Sequence, residues 1–217
     1  MKNVKIAPSI LAADFAKMGE EIQSLQACGA DWIHCDVMDG VFVNNITFGI
    51  KMIEDIRKLT SLPLDCHLMI VHPEKYVERF AKAGADIITV HWEACQDNLA
   101  DVLTLIKNAG VKCGAVINPD TPAEKIKDVL PLCDVVMLMS VFPGFGGQKF
   151  IPSVLDKVRE IRAMIEECGK EIDLEIDGGI TVENVEEVKR AGANVIVAGN
   201  AVFKASDRAE IIAKLKA

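Results

Sequence analysis

Short apolar runs alternate along the chain with longer stretches in which apolar residues recur three and four positions apart. Eight such runs stand out: Ile6–Ile10, Trp32–Val37, Leu64–Met69, Ile87–His91, Lys112–Ile117, Val135–Met139, Leu174–Ile176 and Val195–Ala198. Each is brief and rich in Val and Ile, the composition of a strand covered on both faces. The stretches DFAKMGEEIQSLQA, EKYVERFAKA and SVLDKVREIRAMIEE carry the helical period. A glycine turn links helix to strand again and again: CGADWIHCDV from Cys28, AGADIITVHW from Ala83, NAGVKCGAVI from Asn108 and AGANVIVAGN from Ala191. Glycine there suits the left-handed residue that ends a helix. Thr121-Pro122 and Ile151-Pro152 predict two helix starts. Eight β-α units in alternation predict an α/β fold, a single (β/α)8 TIM barrel, in one domain over residues 1–217. The competing layout, an open doubly wound sheet, usually has fewer strands.

Within HCDVMDG (residues 34–40) the polar residues fall every second position. His34, Asp36 and Met38 therefore share one strand face, and Ile33, Cys35 and Val37 take the other. LDCHLMI repeats the device with Asp65, His67 and Met69, and LEIDGGI ends a strand on Asp177. A barrel keeps its active site at the C-terminal ends of its strands. His34, Asp36, His67, His91, Ser140 and Asp177 all fall there, whereas the strand starts carry few unusual polar groups. A buried carboxylate needs a partner. Two His and two Asp from three strands could surround one divalent ion per chain, Zn²⁺, Fe²⁺, Mn²⁺ or Co²⁺. The same residues could instead be hydrogen-bonded polar groups of a core.

Three glycine turns share that face: PGFGGQ from Pro143, DGG from Asp177 and AGNAVF from Ala198. Loops after strands seven and eight, with a short helix N-terminus such as Gly199–Phe203, are where barrels bind phosphate. The chain's net charge of −8 makes a local site for an anion necessary and argues against nucleic acid or an anionic membrane as partner. No run is long enough to span a bilayer, and MKNVKIAPSI lacks the apolar stretch of a signal peptide. Seven cysteines without a CxxC pair predict reduced thiols and a cytoplasmic protein. Cys35, Cys66 and Cys113 lie within strands and are expected to act as small hydrophobes.

Taken in order, PSILAADFAKMGEE, HCDVMDG, NNITFG, DCHLMI, PGFGGQKFI and DGGI resemble the ribulose-phosphate 3-epimerase family through essentially the whole chain. The resemblance implies a (β/α)8 barrel and a metal-dependent isomerase of the pentose phosphate pathway. Such an enzyme inverts carbon 3 between D-ribulose 5-phosphate and D-xylulose 5-phosphate, by two-aspartate proton transfer through a metal-stabilised enediolate. It implies His34, Asp36, His67 and Asp177 as metal ligands, with Asp36 and Asp177 as the acid–base pair. Ser9 and His67 would touch substrate, and Met38, Met69 and Met139 would line the sugar, although Met also fills ordinary cores. Gly144, Phe145, Gly146 and Gly147, with Gly178, Gly179, Gly199 and Asn200, would meet the substrate and its phosphate. A homo-oligomer is expected on the same ground. Departures lie near the sugar: Asp39-Gly40-Val41-Phe42-Val43-Asn44-Asn45 stands where the family reads DGHFVPN, and Phe142 replaces a small polar or acidic residue. The alternative within enzymes is D-allulose 6-phosphate 3-epimerase. Outside that class stand a non-catalytic phosphosugar-binding barrel and a barrel lyase, which would need a lysine at the reacting carbon. His72 is expected at the surface and His91 in a structural role.

Overall fold

The computed structural model describes residues 3–217 and contains eight parallel strands. They are β1 (Lys5–Ala7), β2 (Ile33–Met38), β3 (Leu64–Met69), β4 (Ile87–His91), β5 (Lys112–Ile117), β6 (Val135–Met139), β7 (Asp173–Asp177) and β8 (Val195–Val197). Neighbours in the chain pair in sequence from β2 to β8, and β8 pairs with β1 through Lys5↔Val195, Ile6↔Ile196 and Ala7↔Val197. The ring closes between β1 and β2 at the bridge Ser9↔His34, where the His34 amide donates to the Pro8 carbonyl at 3.1 Å, and the Asp31 amide donates to the Ile6 carbonyl at 2.9 Å. With helices between successive strands, the fold is a (β/α)8 TIM barrel. Among the described residues no helix is long and apolar enough to cross a membrane.

The strands β3 to β6 span the residues expected from their apolar runs. β1 ends earlier, at Ala7, because Pro8 has no N–H to give a ladder and Ser9 caps a 3₁₀ turn at Ile10–Ala12. The segment after Thr121-Pro122 is a 3₁₀ helix, Ala123–Leu132, where an α-helix was expected. Pro131 within it can neither donate nor fit against the carbonyl four residues back. The helix Val154–Cys168 buries Val154, Val158, Ile161, Met164 and Ile165, one stripe of its circumference, against the barrel.

The period of two sorts each strand. Ile33, Cys35 and Val37 face the helices within the main apolar layer, together with Cys66 and Cys113, while His34, Asp36 and Met38 take the opposite, inner face. All seven cysteines are free. Ala7, Trp32, Ile87, Val135, Val195 and Val197 form a separate apolar cluster. The interior is polar as well, with His34, Asp36, Asp65, His67, Thr89, His91 and Glu175 all buried.

Candidate active site and metal centre

β2, β3 and β7 bring His34, Asp36, His67 and Asp177 together, with one donor atom from each lying within 4.8 Å of the others. Asp36 Oδ1 is 3.3 Å from His34 Nε2 and 3.1 Å from His67 Nδ1, and Asp177 Oδ2 is 4.0 Å from His67 Nδ1. Register explains the meeting. Asp36 pairs with His67, and Asp177 ends β7 at the height of Met139. The Ser9 hydroxyl donates to Asp36 Oδ2 at 2.5 Å, so the seam of the barrel orients a cluster carboxylate directly.

The cluster stands on a second polar layer that sequence reasoning missed. The strand starts do carry unusual polar groups. Asp65 Oδ2 sits 2.6 Å from His34 Nδ1, and Glu175 Oε1 lies 3.4 Å from the same nitrogen. Their signal was the period of two, since Asp65 precedes His67, and Glu175 precedes Asp177, by two positions. The Asp65 carboxylate accepts, so His34 Nδ1 donates to it and Nε2 faces the cluster. That Nε2 is buried without a hydrogen-bond partner.

The charges of this site are strongly coupled. Burial alone would raise Asp36, but His34 and His67 outweigh it and hold the carboxyl far below the usual carboxylate range. Burial, then the Asp36 charge, push Asp177 up to about 7. Burial works against a charged His34, yet Asp36 and Asp65 overcome it and push the imidazole well above its ordinary value. Burial, then Asp65, push Glu175 well up. The interior thus concentrates carboxylates that draw positive charge. An orphaned imidazole nitrogen beside two carboxylates and a second imidazole is a donor set suited to a divalent ion, and the residues fit one.

Above the cluster opens a cavity of about 330 Å³. Met38, Met69 and Met139 form its apolar wall, all nearly fully buried. The loops 143–150, 177–181 and 199–201 form its rim and bring Gly144, Phe145, Gly146, Gly147, Gly178, Gly179, Gly199 and Asn200 to it. The short helix expected there spans Asn200–Phe203. These loops are tied down from several sides. Asn45 Nδ2 donates to the Gly144 carbonyl at 2.8 Å, Gln148 Nε2 donates to Phe142 O at 2.7 Å, and the Ser140 hydroxyl donates to Gly178 O at 2.6 Å. Gly179 has φ +66°, and a Cβ on it would lie 2.8 Å from Gln148 O and overlap the Phe150 amide. Glycine there serves the packing of one rim loop on another as well as close approach by a ligand. Lys149 is the one cationic residue among those lining the cavity, and it was not singled out from the sequence. It lies exposed at the rim.

His72 is exposed, as expected. His91 is fully buried, with its Nε2 2.8 Å from His67 Nε2, and burial pushes it down to about 4.

Among solved structures, the 3-hexulose-6-phosphate synthase of Salmonella typhimurium superposes with a TM-score of 0.74 at 16% identity, over 98% of this chain and 96% of that one, a likeness of fold. The sequence carries much more. The ribulose-phosphate 3-epimerase of Synechocystis sp. is 55% identical over 99% of this chain and 94% of its own length. The enzyme of the same name from Bacillus subtilis is 52% identical over 98% of each. The model of the ribulose-phosphate 3-epimerase family matches residues 5–203, a span that holds every cluster and rim residue described above, and the chain belongs to that family.

Proposed function

We propose that the chain is a metal-dependent 3-epimerase that interconverts D-ribulose 5-phosphate and D-xylulose 5-phosphate, as one catalytic domain over residues 1–217. The observation that carries this reading is the His34–Asp36–His67–Asp177 cluster, buried but for the half-buried Asp177, at the base of a cavity rimmed by glycine loops. The four side chains hold one divalent ion, Zn²⁺, Fe²⁺, Mn²⁺ or Co²⁺. When bound, the ion supplies a Lewis acid at the ketone oxygen next to the reacting carbon.

The chain's own groups carry the rest. Asp36 and Asp177 come from strands three positions apart around the ring, since β1 and β8 lie between β2 and β7. One carboxylate takes the carbon 3 proton from one side, and the other, protonated, gives one back on the opposite side. Two carboxyls shifted in opposite directions suit an acid and a base working as a pair. The Ser9 hydroxyl orients Asp36 and reaches the substrate, which His67 also contacts. Met38, Met69 and Met139 exclude water around the sugar. The backbone of Gly144–Gly147, Gly178, Gly179, Gly199 and Asn200 receives the sugar phosphate, with Lys149 adding charge at the rim. The chain works in the pentose phosphate pathway of the cytoplasm, as a homo-oligomer without nucleic-acid or membrane partners.

A panel assay tests the reading, with ribulose 5-phosphate, allulose 6-phosphate and free ribulose each supplied to metal-loaded protein. Ribulose 5-phosphate is expected to turn over fastest. Free ribulose should lose rate as well as binding, because energy from the remote phosphate is used in the transition state. Faster turnover of allulose 6-phosphate would move the assignment to the hexulose enzyme. Equal turnover of free ribulose would contradict the phosphate site.

A further inference from the structure

We infer that His91 and Glu93 are positioning residues that fix the tautomer of His67, so that its Nδ1 lone pair faces the Asp36–Asp177 cluster. This rests on reading that cluster as a metal site. Four groups stand in series. Asp36 Oδ1 is 3.1 Å from His67 Nδ1, His67 Nε2 is 2.8 Å from His91 Nε2, and His91 Nδ1 is 3.1 Å from Glu93 Oε2. Both rings are fully buried.

The protons can be counted. Each neutral ring brings one N–H, and a carboxylate oxygen can only accept. Three contacts therefore share two protons, and one contact must go without. Leaving out the middle contact would set two nitrogen lone pairs against each other at 2.8 Å. Leaving out the outer contact would set the His91 Nδ1 lone pair against the Glu93 carboxylate, with nothing between them. Leaving out the inner contact turns the His67 Nδ1 lone pair and Asp36 Oδ1 toward the cluster, where a divalent cation reconciles them.

Glu93 is built to enforce the last arrangement. Its Oε1 accepts from the Asn118 backbone N–H at 2.8 Å and from the Thr121 hydroxyl. A backbone N–H cannot reverse, so Oε1 is committed and Oε2 accepts from His91 Nδ1–H. His91 Nε2 is then bare and accepts from His67 Nε2–H. The chain runs from the loop after β5 through the end of β4 to β3, and it accounts for a buried histidine that the proposed chemistry does not otherwise use.

Glu93→Gln tests the relay with almost no change of shape. The amide oxygen must face the Asn118 N–H, which turns the NH₂ toward His91 Nδ1. His91 then carries its proton on Nε2, and that proton meets the one on His67 Nε2 whenever Nδ1 is needed as a ligand. Zn²⁺ affinity, measured by chelator competition, is expected to fall roughly 10–100-fold, as for other lost partners of a ligating histidine. The second readout is the ¹⁵N spectrum of histidine-labelled, Zn²⁺-loaded protein. Wild-type His91 should be protonated on Nδ1 and bare on Nε2, and the assignment should reverse in Glu93→Gln. Unchanged Zn²⁺ affinity in Glu93→Gln, or a proton on Nε2 of wild-type His91, overturns the relay alone. A wild type that takes up no Zn²⁺ overturns the metal site and the relay together. Should the variant fail to fold, the wild-type spectrum decides by itself.

Discussion

Asp36→Asn and Asp177→Asn are each expected to lower net epimerisation by roughly 10²–10⁴-fold, the range for a lost acid–base group. Asparagine keeps the shape and one oxygen of the side chain but cannot shuttle a proton. The rate loss alone would also follow from a disturbed site, so isotope exchange is the sharper readout. A variant lacking one carboxylate still has the other, which can remove and return a proton on its own side of carbon 3. Each variant should therefore keep some exchange with one epimer and little with the other, in opposite senses. Metal content has to be measured in both, because Asp36 Oδ1 lies within 3.3 Å of both imidazoles and its loss can empty the site. Two metal-loaded variants with the same epimer preference would show that the two carboxylates do not divide the faces between them.

Exhaustive chelation is expected to abolish activity, and Zn²⁺, Fe²⁺, Mn²⁺ or Co²⁺ should restore at least part of it. Stability should change with it. The interior holds Asp36, Asp65, Glu175 and Asp177 around two imidazoles, with Glu175 lacking a hydrogen-bond partner at either oxygen. A cation there relieves repulsion among groups that burial keeps from water. An ion that binds only the folded chain adds about 2.7 kcal/mol when its free concentration is 100-fold above Kd. The melting temperature should rise with added ion and fall on chelation. Full activity and an unchanged melting temperature in a demonstrably metal-free sample would remove the ion from the mechanism.

The sheet was legible because its rule is local. A strand covered on both faces must be apolar, and β3 to β6 begin and end where their apolar runs do. His34, Asp36, His67 and Asp177 were legible for the complementary reason, since a polar residue every second position in an apolar strand has to face something polar. Less local features were harder to read. Asp65 and Glu175 follow the same period, but their depth below the mouth depends on the stagger between β2, β3 and β7, which pairing across the barrel sets. The closeness of His91 to His67 depends on ring directions across β3 and β4, and no spacing along the chain encodes it. The glycines at the rim pointed to a ligand, whereas Gly179 is also needed because the Gln148–Phe150 backbone lies against it. The segment Ala123–Leu132 carries the apolar spacing of an α-helix yet winds as a 3₁₀ helix, and Pro131 accounts only for its last turn.

The central claim is that this site removes and returns a proton at carbon 3 of a ketose phosphate. Metal-loaded protein incubated with ribulose 5-phosphate in heavy water tests it most directly, with deuterium located by NMR. Deuterium at carbon 3, in xylulose 5-phosphate and in recovered ribulose 5-phosphate alike, is the expected result. Binding of the sugar phosphate with no deuterium at carbon 3 would contradict it and leave a barrel that holds phosphosugars without epimerising them.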